Sequence, residues 1–376
     1  MKENLITVRN CIIRICYKLI VRPTLFLTDA EDVHDKTVRF CQFFGKYNIL
    51  RGLTSLLFFY SNPILEQKIR GIKFSNPIGL AAGFDKNALL TDILPSIGFG
   101  FAEVGSITGE SCDGNPKPRL WRLKKSKGLI VYYGLKNEGC ERISERLKNK
   151  KFRIPIGTSI AKTNSKDTVE TERGIQDYVK AFKCFVDIGD YFTINISCPN
   201  AFGGEPFNDP EKLNLLLTEI DKIETKKPIF LKIPPDLSEP EIDGIINISK
   251  NHRIDGFICT NLTKDRNNEK IIDKIVPEKG SISGKPVEEL SNNLISYIYK
   301  KTRGKFIIIG CGGVFSTEDA YEKIKLGANL VELITGMVFE GPQLISEINQ
   351  GLARLLKKDG FSNISQAIGI GCESKS

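Results

Sequence analysis

The chain has 376 residues, of which 41% are hydrophobic and 26% charged, a composition that argues against wholesale disorder and against a multi-span membrane protein. Its 54 Lys and Arg residues outnumber 45 Asp and Glu residues, an excess compatible with nucleic acid, anionic lipid or an anionic small ligand. The ten cysteines contain no C-x-x-C pair and there are only two histidines, so we expect a reducing compartment and no metal site.

The chain begins with a predicted amphipathic helix that ends at Pro23 and has no secretory signal pattern. Its apolar arc is formed by Ile12, Ile13, Ile15, Cys16, Leu19 and Ile20. Its basic arc is formed by Arg14, Lys18 and Arg22. Such a helix either packs on the protein body or lies in a membrane surface, with the apolar arc in the lipid and the cations at the headgroups.

A second helix is predicted from Thr28 to about Phe44, because Thr28-Asp-Ala-Glu31 has the form of a capping box. We therefore expect residues 1–45 to form a two-helix, membrane-associated extension and residues 46–357 to form the main domain. Residues 358–376 are polar and without pattern, which predicts a frayed C-terminal tail.

Eight short β-branched runs, separated by helical or loop segments, predict an α/β protein. The runs are Ile78–Ala82, Ala102–Ser106, Ile154–Ser159, Tyr191–Ile196, Ile229–Ile233, Gly256–Thr260, Phe306–Gly310 and Asn329–Thr335. This rhythm favours a (β/α)8 TIM barrel over the alternative, a doubly wound sheet.

Polar or glycine-rich groups follow nearly every predicted strand. They are Lys86, Ser106, Ser159, Asn195 with Cys198, Lys232, Asn261, Gly312 with Gly313, and Thr335 with Gly336. In a barrel the carboxyl ends of all strands meet at one mouth, where such enzymes have their active sites. A barrel therefore explains this distribution, which a doubly wound sheet does not.

The last two predicted strands end in Gly310-Cys-Gly-Gly313 and Ile334-Thr-Gly336. Glycine at a strand end can be simple turn chemistry, but the pair after strands seven and eight is typical of a barrel phosphate pocket. This predicts a phosphorylated cofactor. Lys86 and Lys232 end apolar strands, and two such cations suit an electron-rich ring that gains negative charge on reduction.

The fourth predicted strand continues into Asn195-Ile-Ser-Cys-Pro-Asn200. Its asparagine amides suit the edge of a heterocycle with alternating C=O and N–H groups. Cys198 is either a small buried hydrophobe or, if nearby lysines lower the pKa of its thiol, a proton-abstracting base, and its polar setting favours the base. Gly203 and Gly204 would let this loop open and close.

Several motifs closely resemble those of the dihydroorotate dehydrogenase family over roughly residues 20–355. They are Asn76-Pro-Ile-Gly-Leu-Ala-Ala-Gly-Phe-Asp-Lys-Asn87, Gly98-Phe-Gly-Phe-Ala-Glu-Val-Gly-Ser106, Gly114-Asn-Pro-Lys-Pro-Arg-Leu-Trp-Arg122, Asn195-Ile-Ser-Cys-Pro-Asn200, Pro235-Asp-Leu-Ser238, Ser283-Gly-Lys-Pro286 and Gly310-Cys-Gly-Gly313. The segment from Arg22 to His34 resembles the N-terminal extension of the membrane-associated, quinone-reducing class 2 enzymes.

The resemblance implies flavin mononucleotide (FMN), oxidation of dihydroorotate to orotate in pyrimidine synthesis, and transfer of electrons to a membrane quinone. It assigns catalysis to Cys198 and Lys86. FMN would contact Ala82, Gly83, Lys86, Ser106, Ser159, Asn195, Lys232, Thr260, Gly284, Gly312, Gly313, Thr335 and Gly336. The substrate would contact Lys86, Gly134, Leu135, Asn195, Asn200 and Asn261. Quinone would lie near His34 and Arg122.

The sequence departs from the class 2 pattern at several site positions. Cys198 replaces the usual serine base and matches class 1 enzymes, and Ser159 replaces a flavin-binding asparagine. Val131 and Leu262 replace a substrate-binding asparagine and threonine, which removes two hydrogen bonds to orotate. Lys136 is a candidate replacement cation in the same loop as Val131.

Three alternatives remain beside this interpretation. One is a related FMN barrel that acts on another dihydropyrimidine, and another is a tRNA-modifying enzyme like the dihydrouridine synthases. The third is a non-catalytic flavin-storing or membrane-scaffold protein. The dihydroorotate dehydrogenase interpretation predicts a monomer that binds anionic lipid and no nucleic acid, peripheral on the inner face of a bacterial-type cytoplasmic membrane.

Overall fold

The computed structural model describes residues 2–373. Its strands are β1 (Gln67–Ile69), β2 (Ile72–Phe74), β3 (Ile78–Leu80), β4 (Phe101–Ile107), β5 (Leu120–Leu123), β6 (Gly128–Val131), β7 (Ile156–Ile160), β8 (Tyr191–Asn195), β9 (Ile229–Ile233), β10 (Gly256–Cys259), β11 (Ser281–Gly284), β12 (Ile307–Cys311) and β13 (Leu330–Leu333). Its α-helices are α1 (Lys2–Cys16), α2 (Arg22–Leu25), α3 (Ala30–Lys46), α4 (Asn48–Phe58), α5 (Leu94–Ile97), α6 (Cys140–Leu147), α7 (Thr171–Cys184), α8 (Pro210–Asp221), α9 (Glu239–Lys250), α10 (Glu288–Thr302), α11 (Thr317–Lys325), α12 (Thr335–Glu340), α13 (Leu344–Lys358) and α14 (Ile370–Glu373).

Eight parallel strands close into a barrel in the order β10-β12-β13-β3-β4-β7-β8-β9. All eight predicted strands are barrel strands, so the predicted (β/α)8 fold is confirmed. Their β-branched runs read as continuous because both faces of each strand are buried, one by the barrel interior and one by the outer helices.

Aromatic side chains fill the amino-terminal end of the barrel. Phe101 and Tyr191 point inward there, and Phe74 and Phe230 pack edge to face against them. A Cβ atom at Gly79 would lie 2.4 Å from the Phe101 ring, so only glycine leaves room for this packing. Because this end is filled by side chains, the open space of the barrel lies at its carboxyl-terminal mouth.

The N-terminal segment has three long helical parts rather than the two predicted. The first continues past Cys16 as a π-helical turn at Tyr17–Val21 and then as α2. Pro23 does not end it, because the proline falls in the first turn of α2, where a missing N–H is tolerated. The unpredicted third part is α4, an apolar helix whose N-cap residue, Tyr47, forms no side-chain capping hydrogen bond.

The cap of α3 is one residue later than expected. Asp29, not Thr28, accepts hydrogen bonds from the Glu31 and Asp32 N–H groups, at 2.9 and 3.1 Å. Glu31 is thereby free of a capping role and forms a two-pronged ion pair with Arg119, at 3.0 and 2.8 Å. This pair joins the helical segment to the barrel.

The helix α1 turns its polar side to the barrel and its apolar side outward. Asn10 is buried and donates to Ser346 on α13, and Gln350 donates to the Glu3 carbonyl. The basic arc faces the same way, since Arg14 pairs with Glu347 and Lys18 with Glu340. Both ion pairs place the basic arc against the barrel, as expected for a helix that packs on the protein body.

The segment from residue 359 to residue 372, which follows α13, is packed rather than frayed. Ile364 and Ala367 are fully buried in the main core, and Asn363 donates to the Glu66 carbonyl at 2.9 Å. The prediction of a frayed tail is therefore wrong for this segment. Its few apolar residues are separated by Ser, Asn and Gln, so no periodic pattern marks the contact.

Replacing Glu31 with glutamine should lower the free energy of unfolding by about 3 kcal/mol, because it leaves the Arg119 charge buried and unpaired. Glu31 and Arg119 side chains are 3% and 6% exposed. Glu66→Gln is the matched control, since its partner Lys73 is 72% exposed and such pairs contribute under about 1 kcal/mol. Equal effects of the two changes in urea denaturation would contradict this account of the anchor.

Candidate active site

A single cavity of about 840 Å³ runs from the barrel mouth to the N-terminal helices. At its barrel end it is lined by residues from the ends of β3, β8, β9, β12 and β13. At its other end it is lined by α3, α4 and the helical segment before Ala30. The cavity therefore joins the inside of the barrel to the helices that carry exposed apolar side chains.

Nearly all the predicted site residues line this cavity. The lining includes Ala82, Gly83, Lys86, Ser106, Gly134, Leu135, Asn195, Cys198, Asn200, Lys232, Thr260, Asn261, Gly284, Gly312, Gly313, Thr335, Gly336, His34 and Arg122. Ser159 is the exception. It is fully buried behind Ser106, whose hydroxyl lies 2.7 Å from its own, and so holds Ser106 rather than facing the cavity.

The Ser106 hydroxyl also fixes Asn195. The Asn195 amide donates to it at 2.8 Å, while the amide oxygen accepts from the Ser197 N–H at 3.2 Å. Asn195 thus has a set orientation at the end of β8, with both ends of its amide held by neighbours.

Lys232 presents a buried ammonium to the barrel interior. It is 4% exposed, and no residue in the described range 2–373 forms a hydrogen bond or ion pair with it. Burial lowers its pKa, but the nearby Cys311, Glu332 and Glu103 more than offset this, so its pKa lies above the usual value. An unpartnered buried cation at a cavity wall is costly unless a ligand supplies acceptors.

Two buried carboxyl groups lie below Lys232. Glu103 bonds to Thr193, whereas both oxygens of Glu332 lack a hydrogen-bond partner among the described residues. Burial raises the pKa of both carboxyl groups, against the opposing charge of Lys232. Glu332 was not predicted as a site residue, because one charged residue within an apolar run does not interrupt the pattern of a strand.

Lys86 lies at the boundary between barrel and helices. Its Nζ is 3.4 Å from His34 Nε2 and 3.8 Å from the centre of the Tyr133 ring. Asp85 positions the turn by accepting from the Leu89 and Leu90 N–H groups. Burial lowers the pKa of Lys86 to about 7, so its charge is sensitive to pH near neutrality.

His34 is held beside Lys86 by two contacts. Its Nε2 lies 2.8 Å from the Phe84 carbonyl and its Nδ1 3.1 Å from Asp35. Burial and the charge of Lys86 lower the pKa of His34 below its usual value, against the opposing effects of Asp35 and the Phe84 carbonyl. Arg122 donates to the Thr28 carbonyl at 2.7 Å and stacks over Phe26.

Cys198 lines the cavity in the loop after β8. Burial raises the pKa of its thiol to about 11, against the opposing effects of an Asn200 backbone hydrogen bond and the charge of Lys162. The expectation that lysines lower this pKa is therefore wrong for the net shift, because burial outweighs them. Lys162 itself was missed, since it follows its strand by two residues and resembles a surface lysine.

The other loop residues are held by their neighbours. Asn200 donates to the Val131 carbonyl at 2.8 Å and Asn261 to the Ser197 carbonyl at 2.7 Å. Lys136 is 3.4 Å from Glu31 and 3.9 Å from Asp35. Lys136 thus lines the cavity beside Glu31 and Asp35 of α3, and its role as a replacement cation stays a prediction.

The glycine turns after β12 and β13 pack closely against neighbouring segments of the chain. A Cβ at Gly313 would lie 2.3 Å from Glu288, and a Cβ at Gly336 only 1.9 Å from the Val314 carbonyl. Gly312 and Gly313 have φ values of 128° and 74°, which favour glycine. Only glycine therefore fits these close approaches, and both turns line the cavity, where backbone N–H groups suit an anion.

The helical end of the cavity is lined in part by residues of α4, none of which was predicted as a site residue. Leu53, Thr54 and Leu57 of α4 form part of its wall. Because α4 was not predicted, its residues were not assigned to the site. Its apolar composition is the signal that could have identified it.

Among residues 2–373 no group of three or more His, Cys, Asp or Glu side chains is arranged to hold a metal ion. Within the same range, none of the helices has the length and hydrophobicity to span a bilayer.

A closed (β/α)8 barrel with convergent lysines, asparagines and a cysteine at its carboxyl-terminal mouth is the arrangement of a barrel enzyme's active site. The family model for dihydroorotate dehydrogenase matches residues 64–356. The chain therefore belongs to the dihydroorotate dehydrogenase family, and membership implies a flavin cofactor. It also sets aside the tRNA-modifying and flavin-storing alternatives.

The relatives are of the quinone-dependent type. Dihydroorotate dehydrogenase (quinone) of Nostoc punctiforme is 38% identical over 377 residues, covering 96% of this chain and 99% of the relative. The Christiangramia forsetii protein of the same name is 41% identical over 341 residues, covering 89% and 98%. The crystal structure of Eimeria tenella dihydroorotate dehydrogenase with ferulenol has a TM-score of 0.82 and 30% identity, covering 92% and 96%.

The residues present fit a bound flavin. Lys232 is a buried cation without a partner in the described chain, and Ser106 and Asn195 offer fixed hydrogen-bonding groups on the same wall. A Cβ at Gly83 would meet no atom within 4 Å, so the chain leaves open space beside β3. The glycine turns after β12 and β13 supply a place for a phosphate.

Proposed function

We propose that this protein oxidises dihydroorotate to orotate with FMN as its cofactor and passes the electrons to a membrane quinone. The single observation that carries the proposal is the continuous cavity, which joins the barrel mouth to the N-terminal helices. One end offers cations and amides for a flavin and an anionic substrate. The other end is apolar and opens towards the helices, as a quinone requires.

When bound, FMN supplies the hydride acceptor of this reaction. We propose that it is held by the residues named for it from the resemblance, with Ser159 acting through Ser106. Lys232 would present its buried ammonium to the flavin ring, and a buried cation acts strongly on charge in a site that excludes water. Gly312, Gly313 and Gly336 would hold the phosphate.

The substrate is oriented by Lys86, Gly134, Leu135, Asn195, Asn200 and Asn261. Lys86 pairs with the orotate carboxylate, and the asparagines bond to the ring C=O and N–H groups. Cys198 removes the proton from the carbon next to the ring carbonyl. With Val131 and Leu262 in place of hydrogen-bonding residues, substrate binding depends more on the Lys86 charge.

Electrons leave towards the N-terminal helices, where quinone lies near His34 and Arg122. The outer surface of these helices carries apolar side chains, including Leu19 and Leu56, each 72% exposed. Lys36, Arg39 and Lys46 of α3 are exposed and suit anionic headgroups. We propose peripheral attachment of a monomer to the inner face of a cytoplasmic membrane through this surface.

The proposed cofactor is tested by its release from the purified protein. Heat denaturation followed by chromatography should yield FMN in about equal amount to the protein, because the barrel offers one phosphate site. Native protein from the same preparation that reduces a short-chain benzoquinone only when dihydroorotate is present supports the whole function. Release of FAD, or of no flavin, would remove the basis of the proposal.

Orotate binding should weaken as the pH rises above 7. The pKa of Lys86 is lowered to about 7, so the ammonium that pairs with the anionic ligand is lost above that pH. The dissociation constant should then rise about tenfold per pH unit, while it stays nearly constant between pH 5.5 and 6.5. Flavin absorbance titrations measure this, and Lys86→Met should abolish the pH dependence.

A further inference from the structure

Two side chains that follow β7 hold the backbone of the loop that contains Cys198. The Phe202 N–H donates to the Asn164 amide oxygen at 2.7 Å, and the Phe202 carbonyl accepts from Lys162 Nζ at 2.6 Å. Both polar groups of one loop residue are thus occupied. This fixes the loop over the cavity four residues after Cys198.

Lys162 is an unusual residue for a tether. It is 3% exposed, and within residues 2–373 it forms no ion pair. Asp177, which attracts it, is already occupied by the Thr163 N–H, the Thr163 hydroxyl and the Gly109 N–H. Holding a carbonyl does not require a buried charge, because an amide N–H would serve. The charge itself therefore needs an explanation.

The nearby group that can use this charge is Cys198. The charge of Lys162 lowers the pKa of this thiol, whereas Glu205 and Cys112 act in the opposite sense. Tyr178, another titratable neighbour, donates its hydroxyl proton to the Asn195 carbonyl at 2.7 Å and stays neutral. Glu205 is itself paired with Lys264, which weakens its effect on the thiol.

We propose that Lys162 is a positioning residue for Cys198, which holds the loop through Phe202 and stabilises the thiolate with its ammonium. The proposal rests on the proposed function only in taking Cys198 as the proton-abstracting base. In the step itself, the thiolate sulfur takes the substrate proton and becomes a thiol. Lys162 keeps its own proton and supplies charge alone.

The test is the pH dependence of Cys198 alkylation in the flavin-loaded protein. Iodoacetamide reacts with the thiolate, so the rate rises through the thiol pKa. Trypsin releases residues 184–212 as one peptide, which contains both Cys184 and Cys198. Fragmentation of this peptide in the mass spectrometer therefore measures alkylation of Cys198 with Cys184 as an internal reference. Dihydroorotate is not needed, so the result does not depend on the proposed reaction.

Three variants separate charge from tethering. Lys162→Gln keeps a donor for the Phe202 carbonyl but removes the charge, and should raise the midpoint pH for Cys198 by about one unit. Lys162→Arg keeps the charge and should restore most of that shift. Asn164→Ala removes the other tether without a change of charge, and should leave the midpoint within about 0.3 units of the parent value.

An unchanged midpoint in Lys162→Gln would overturn the proposal, and so would an equal shift in Asn164→Ala, since loop position alone would then explain the effect. A Cys184 midpoint that moves together with that of Cys198 would also count against it. If the shifts appear as expected but dihydroorotate does not reduce the flavin, the role of Lys162 stands and the substrate assignment fails.

Discussion

Replacement of Cys198 by alanine should leave the flavin bound but slow its reduction by dihydroorotate by about 10²-fold or more. Cys198 lies in the cavity wall between Asn195 and Asn200, and it is the residue proposed as the proton-abstracting base. Loss of a general base has an effect of this size. Anaerobic stopped-flow measurement of flavin absorbance gives the rate, and bound flavin content shows that the site is intact.

Two controls make this result specific to the thiol of Cys198. Cys198→Ser should restore part of the rate, since a hydroxyl can take the proton less readily. Cys112→Ala removes a buried thiol that donates to the Gly134 carbonyl, outside the cavity wall, and should have a small effect. An alanine variant at Cys198 that is reduced at the parent rate would mean that another group is the base.

The second large effect is expected when the passage between the barrel and the N-terminal helices is blocked. Thr37 of α3 lines the cavity. Thr37→Trp should fill the passage, leave flavin reduction by dihydroorotate unchanged, and lower turnover with a long-chain quinone at least tenfold. The physical reason is that substrate and quinone reach the flavin from different ends. Steady-state and anaerobic assays measure the two half-reactions separately.

Asp32→Trp is the matched control, because Asp32 lies on the same helix but is exposed. It should leave both half-reactions intact. Deletion of residues 1–27 should have the same selective effect as Thr37→Trp and should weaken binding to anionic vesicles without abolishing it, because it removes exposed apolar side chains such as Leu19 but keeps Lys36, Arg39 and Lys46 of α3. This deletion keeps Asp29 and Glu31, and so preserves the helix cap and the Arg119 ion pair. Normal long-chain quinone turnover in the deleted protein would contradict a quinone route through the helices.

The barrel could be predicted because its strands carry a local signal. Runs such as Ile229–Ile233 are apolar throughout, and polar residues mark where each strand reaches the mouth. Pairing of neighbours around the barrel then brings Lys86, Asn195 and Lys232 to one cavity without further information. Patterns within single strands thus predict both the fold and the residues that line the cavity.

The N-terminal segment was harder to predict because its contacts join distant parts of the chain. Arg14 and Lys18 resemble headgroup-binding cations until Glu347 and Glu340 are seen beside them. Lys136 likewise looks free until Glu31 is placed opposite. The pKa of Cys198 depends on its burial, which no local pattern reveals. In each case the prediction lacked a neighbouring residue that only tertiary packing brings into contact.

The most direct test of the central claim is one anaerobic experiment. Purified, yellow protein is mixed with dihydroorotate in the absence of quinone and oxygen, and the absorbance of the oxidised flavin is followed over time. We expect the absorbance to bleach as one equivalent of orotate forms, and to return when quinone is added. Flavin that stays oxidised with dihydroorotate, but bleaches with dithionite, would contradict the proposed reaction.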